Sequence, residues 1–151
     1  LGQVARAQGD DDEALTLFDN ALERFRKIDA SAEMIQALNN IADIALERGE
    51  DHVARRCCAE ALHTAKRAHI VPFALDTLAR LAQLEHDQLP QQALFLSSFV
   101  IGHPSSSPDA QARCVQLRQT LIADLPLDQV AVAEERARTA TFDSVLNEAL
   151  H

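Results

Sequence analysis

Apolar residues recur at helical spacing through almost the whole chain. Ala14, Leu17, Phe18, Ala21, Leu22 and Phe25 share one helix face and predict a helix through about Ile28, because side chains three and four apart point the same way. Ahead of it, Leu1–Gln8 reads as the tail of a helix stopped by Gly9, a residue that tolerates the left-handed turn. Asp10 to Glu13 then place acids where a helix N-terminus favours negative charge. Met34, Leu38, Ile41, Ile44, Ala45 and Leu46 mark a second helix, about 32–48, ended by Gly49. A third, about 51–69, carries Val53, Ala54, Cys57, Cys58, Ala61, Leu62 and Ala65. Pro72 and Pro90 sit at the first positions of the next two helices, where a missing N–H costs nothing. Residues 102–108, with two prolines and three serines, are the one clear loop. Three shorter patterns follow at about 109–123, 127–138 and 142–150, the last with Thr141 as its cap.

The pattern repeats. Shifted by forty positions, Ala5, Gly9, Ala14, Ala21 and Leu22 fall on Ala45, Gly49, Ala54, Ala61 and Leu62. A fixed period of this size signals stacked supersecondary units rather than one irregular globule. Leu81-Ala82, forty after Ile41-Ala42, and Ala93, thirty-nine after Ala54, outline a third, degraded unit. Two antiparallel helices pack closely only where one offers small side chains. Gly2/Ala42, Ala14/Ala54 and Ala21/Ala61 supply those notches, and Leu1/Ile41 and Phe18/Cys58 fill the volume between. A bulky residue forced into such a notch costs about 1–3 kcal/mol.

Composition agrees with an all-α fold: 47% of the 151 residues are hydrophobic, only 4% aromatic, and Trp and Tyr are absent. A net charge of −9 repels phosphate backbones and argues against direct contact with nucleic acid. Three cysteines, two of them adjacent, make no secreted disulfide framework and fit a reducing cytoplasm. Neither a membrane-spanning apolar run nor a leader is evident. The opening at Leu1, in mid-repeat, is expected of a piece cut from a larger protein.

These same positions resemble the tetratricopeptide repeat (TPR). Its large-then-small pair is seen as Leu1-Gly2 and Ile41-Ala42, and its turn glycine as Gly9 and Gly49. Its small, bulky, small second-helix positions are Ala14, Phe18, Ala21 and then Ala54, Cys58, Ala61. Ala5 and Ala45 stand where a tyrosine is common, and the forty-residue spacing exceeds the usual length of about 34. The resemblance implies a right-handed α-α superhelix of antiparallel helix hairpins. About three repeats would occupy 1–102, the first truncated at its N-terminus. A loop at 103–108 and capping helices over 109–151 would complete the same domain. The ending from Ala137 to Leu150 is similar to the recurring close of such repeats in LuxR-type, STAND-class ATPase transcriptional regulators of bacteria. Glu134 and Ala137 replace that pattern's aromatic and glycine. The likeness implies a non-catalytic sensor domain in a larger cytoplasmic regulator. ATP would then bind an upstream domain, and a helix-turn-helix would lie elsewhere.

Catalytic motifs are absent: no phosphate-binding loop, no nucleophile elbow and no His-Glu-x-x-His. His63 and His69, six apart, do not share a helix face as metal ligands would. Cys58 falls on a packing position, and Cys57-Cys58 lacks the spacing of a redox pair. An enzyme using His63, Asp76 or Glu85 is the least supported alternative. No cofactor or metal is expected in this segment. What remains is a surface. By the repeat alignment Gln36, Asn39 and Asp43, then Asp76, Arg80 and Gln83, flank the large-small pairs and face the groove. They are the candidate contacts for a protein or peptide partner or a small inducer, a merely solvated face being the plainer alternative. A stand-alone adaptor with no attached ATPase is the alternative to the regulator.

Overall fold

The computed structural model describes residues 2–3 and 9–151. Gly2 and Gln3 are helical, whereas Leu1, Ala5 and the rest of the expected helix tail lie outside the described residues. Eight helices follow: α1 (Asp11–Lys27), α2 (Ser31–Glu47), α3 (Asp51–Ala68), α4 (Val71–Glu85), α5 (Pro90–Gly102), α6 (Pro108–Asp124), α7 (Leu127–Thr139) and α8 (Phe142–Ala149). There is no strand among the described residues. The fold is all-α, and each boundary assigned from the apolar pattern agrees to within a residue or so.

The turns explain the period. Gly9, Asp29, Gly49 and His69 have φ of 82°, 52°, 70° and 55°, so a left-handed residue recurs every twenty positions. After three of them the next amide reaches five residues back: Ala30 N to Phe25 O at 2.9 Å, Glu50 N to Ala45 O at 2.8 Å and Ile70 N to Ala65 O at 3.0 Å. This is the 6→1 bond that closes a helix C-terminus and satisfies a carbonyl left without a partner. The same three residues, Ala30, Glu50 and Ile70, start the following helix as N-caps. A helix and a reversal of two or three residues thus make a twenty-residue module, and two modules make the forty-residue repeat. Beyond α4 the rule lapses. Helices α5, α6 and α7 end in extended residues, His103, Leu125 and Ala140. Their successors are restarted by side-chain caps at Ser107 and Thr141 and by Pro126.

Each helix packs on its predecessor through α6, and the first helices of successive pairs also touch, α2 on α4 and α4 on α6. The notches lie where the repeat puts them. Ala14, Ala42, Ala54, Ala61, Ala82 and Ala93 are completely buried. At Gly2 a Cβ would stand 2.7 Å from the Phe18 ring, so any larger residue there would have to displace that ring. Cys58 fills its expected core position, and Ala21 alone among the notch alanines is half-buried. The C-terminal helices depart from simple stacking. Helix α7 lies along α5, with Arg136 4.2 Å above the Phe95 ring centroid, and α8 turns back to reach α3, where Lys66 donates to Asn147 at 2.6 Å.

The left-handed turns give a test by sign. Nothing lies within 4 Å of a Cβ added at Gly49, so Gly49→Ala meets only backbone strain. It should lose roughly 1–2 kcal/mol. His69→Gly should gain about 0.5 kcal/mol, the relief of strain exceeding glycine's extra chain entropy. Urea unfolding of both variants checks this, and effects of the same sign would contradict it.

Candidate functional site

Of the six expected groove residues, Asp43, Asp76, Arg80 and Gln83 join one bonded network and Asn39 a separate pair, all along the contact of α2 with α4. Asn39 is buried at 5% exposure, with the Thr77 hydroxyl 2.9 Å from its Oδ1. It therefore stands in the core rather than on the open surface expected for a ligand contact. Asp43 accepts from Arg80 through a two-pronged fork, Nε to Oδ1 at 2.8 Å and Nη2 to Oδ2 at 2.9 Å. Arg113 of α6 adds a bond from Nη1 to Oδ1 at 3.0 Å and donates to Gln83 Oε1 at 2.6 Å. Asp76 accepts from the Ser107 hydroxyl at 2.5 Å, and its own carbonyl takes Arg80 Nη1 at 2.9 Å. Gln36 is exposed and separate, in a hollow of about 360 Å³ beside Leu17, Phe18 and Phe25.

Two buried carboxylates illustrate what partners decide. The Asp43 and Glu85 side chains are equally exposed, 11% each. Burial alone would raise both. At Asp43 the hydrogen bonds and charges of Arg80 and Arg113 outweigh it and hold the carboxyl below its ordinary value of 3.8. Among the described residues Glu85 has only Arg55, at 3.5 Å, and its Oε2 has no hydrogen-bond partner. Burial therefore wins and lifts it above the ordinary 4.5. The cysteines follow the same rule. Burial pushes the Cys57 and Cys114 thiols up to about 11 and Cys58 to about 12, which leaves them as thiols and poor nucleophiles at neutral pH.

Beside the cluster opens a hollow of about 580 Å³. Asp43, Gln83 and Arg113 form its inner side, and Asp51 and Asp87 stand exposed at its rim. The three residues considered for catalysis do not meet. Asp76 and Glu85, nine positions apart on α4, are separated by about 13 Å of helix rise. His63 points outward from α3. Among the described residues no group of three or more His, Cys, Asp or Glu could hold a metal ion, and no helix is long and apolar enough to cross a membrane.

Arg113, Ser107 and Thr77 were not among the expected site residues. A signal for Arg113 exists: it borders the apolar stripe Ala110, Cys114, Leu117 and Leu121, and a cation on an inward helix edge needs a carboxylate.

Compared with known proteins, residues 1–67 match the family model of the tetratricopeptide repeat. The matched stretch holds the turns at Gly9, Asp29 and Gly49 and ends just before His69, where the last left-handed turn stands. Neither a curated protein nor a solved structure gives a significant match. The chain is thus a TPR-like all-α helical repeat, with the family likeness carried by its first 67 residues.

The two carboxylates predict opposite responses. Asp43→Asn leaves two guanidinium groups uncompensated and should cost about 3 kcal/mol at neutral pH. Because the folded-state value is depressed, the stabilisation is present above 3.8 and fades as pH falls through the lower folded value. Glu85→Gln should gain about 1 kcal/mol at neutral pH by removing a poorly partnered buried charge. That gain shrinks in acid, where the wild-type carboxyl is protonated folded and unfolded alike. Urea unfolding at neutral and acid pH measures both, and a stabilising Asp43→Asn or a strongly destabilising Glu85→Gln would refute the assignment.

Proposed function

We propose that this chain is a non-catalytic protein-interaction module that seats a cationic segment of a partner in the hollow beside Asp43. The observation that carries this reading is the state of the cluster behind that hollow. Asp43, Arg80, Arg113 and Gln83 are already bonded to one another, so the inner wall is fixed before any partner arrives. A preorganised wall spares a ligand the cost of ordering it. At the rim, Asp51 and Asp87 offer exposed carboxylates to Lys or Arg side chains. The match of residues 1–67 to a repeat family built of stacked hairpins supports binding over chemistry.

The setting we favour is the sensor part of a larger cytoplasmic bacterial transcriptional regulator of the LuxR-type, STAND-class ATPase kind. Its support is the closing motif from Ala137 to Leu150, where Thr141 and Ser144 form a reciprocal cap, Ser144 N to Thr141 Oγ1 at 3.2 Å and Thr141 N to Ser144 Oγ at 3.1 Å. In that setting a protein or a small inducer would bias a neighbouring ATP-binding switch through unequal affinity for its two states. The second reading, a stand-alone adaptor, is favoured by the repeat match, which speaks for the hairpins alone. A phosphate-binding loop encoded upstream in the gene supports the regulator, and its absence from the gene retires that setting.

Since Asn39 and Asp43 act in the core, the test of binding uses the rim. A fluorescein-labelled Lys/Ala peptide should bind wild type with an affinity that falls as salt rises. Asp51→Lys/Asp87→Lys should weaken it roughly tenfold while leaving the circular dichroism spectrum unchanged. Equal binding by the charge-reversed variant would sink this site.

A further inference from the structure

Away from the residues that line the Asp43 hollow, α3 carries a feature that the groove reading leaves unused. We infer that the outward face of α3 is a docking surface for an acidic segment of a partner protein. In a chain with a net charge of −9, Arg56, Lys66 and Arg67 line one shallow hollow of about 960 Å³ together with His63 and His69. Arg56, His63 and Arg67 fall on one helix stripe by their spacing of seven and four. The single acid there, Glu60, is already engaged by Arg26 of α1.

The cations are weakly committed elsewhere. Arg56 makes no hydrogen bond or ion pair among the described residues. Lys66 donates to a neutral amide oxygen, that of Asn147. Arg67 reaches Asp29 only at 3.5 Å, with side chains 65% and 82% exposed, a pairing that water and salt screen. Helix stability accounts for part of this set, because Lys66 and Arg67 in the last turn complement the negative end of the helix dipole. It does not account for Arg56, which stands in the N-terminal half, away from that end. A concentration of cations that the fold does not use is the electrostatic footprint of an anionic partner.

The rest of the molecule selects which anion. A nucleic-acid backbone extending past the hollow would meet an acidic surface, whereas a short acidic segment seated within about one Debye length, roughly 8 Å, feels the local patch. The hollow also has a partly apolar floor, with Met34 of α2 buried at 6% exposure beneath the long side chains. Carboxylates paired with guanidinium groups over an apolar floor suit a peptide better than a bare phosphate.

The test titrates a fluorescein-labelled Glu/Ala peptide into the full chain and follows anisotropy. Wild type should bind, with an affinity that falls as salt rises, and Arg56→Glu/Arg67→Glu should weaken binding roughly tenfold or more at unchanged helicity. Arg56→Lys/Arg67→Lys should retain most of it, and Asp51→Lys/Asp87→Lys at the other hollow should not reduce it, which separates this surface from the first. Four results would overturn the inference. Absence of wild-type binding at low salt, or equal binding by the Glu variant, removes the site. Competition by inorganic phosphate or an oligonucleotide as strong as by unlabelled peptide reassigns it to a general anion site. Self-association of the chain that Arg56→Glu/Arg67→Glu abolishes makes a second copy the occupant.

Discussion

One carboxylate ties the first helices of this molecule together. Asp43 of α2 takes the Arg80 fork from α4 and a third bond from Arg113 of α6, seventy residues further along the chain. Burying a carboxylate costs several kcal/mol unless its lone pairs are met, and here they are met by two guanidinium groups that can reach it only when three helices lie in one register. The net stabilisation from such a cluster is modest, but a slip by one turn would strand buried charges. The cluster therefore discriminates against other packings of the same helices. It is also one of the links, with the packing of α3 on α4 and the Lys66–Asn147 bond, between the region matching the repeat family and the helices that follow it.

That linkage depends on close approach, and close approach on small residues and short turns. The fully buried alanines at 14, 42, 54, 61, 82 and 93 let helices come near enough for short polar side chains to bond across them. The left-handed residues at 9, 29, 49 and 69 mark short turns, and the connections around the last three are only two or three residues long, so successive helices stay side by side. With the stack fixed in this way, two hollows of different charge line its surface. Acids frame the hollow beside Asp43, and cations line the outward face of α3. On the proposed readings the two hollows would take partners of opposite sign.

Much of this architecture was legible in the sequence, and the reasons are specific. Helix limits followed from apolar spacing, and the notches from alanines recurring at forty. The turns at Asp29 and His69 were not legible as left-handed, because the signal sought was glycine and these residues tolerate the same conformation. Of the six residues grouped from the repeat alignment, Gln36 stands apart, and the bonding of the other five was hidden in the sequence. Whether a stripe faces solvent or another helix depends on α6, which lies beyond the loop in a region with no repeat punctuation. Amphipathicity likewise names the buried face of α7 but not its partner, so its packing on α5 had no sequence signature.

A double-mutant cycle on Asp43 and Arg113 tests the central linkage most directly. Unfolding free energies at neutral pH would be compared for wild type, Asp43→Asn, Arg113→Met and the double variant. If the shared carboxylate joins α6 to the repeats, the two substitutions couple by at least about 1 kcal/mol. Additivity to within about 0.3–0.5 kcal/mol would mean that the two residues do not sense each other, and that the stack is held by its apolar notches alone.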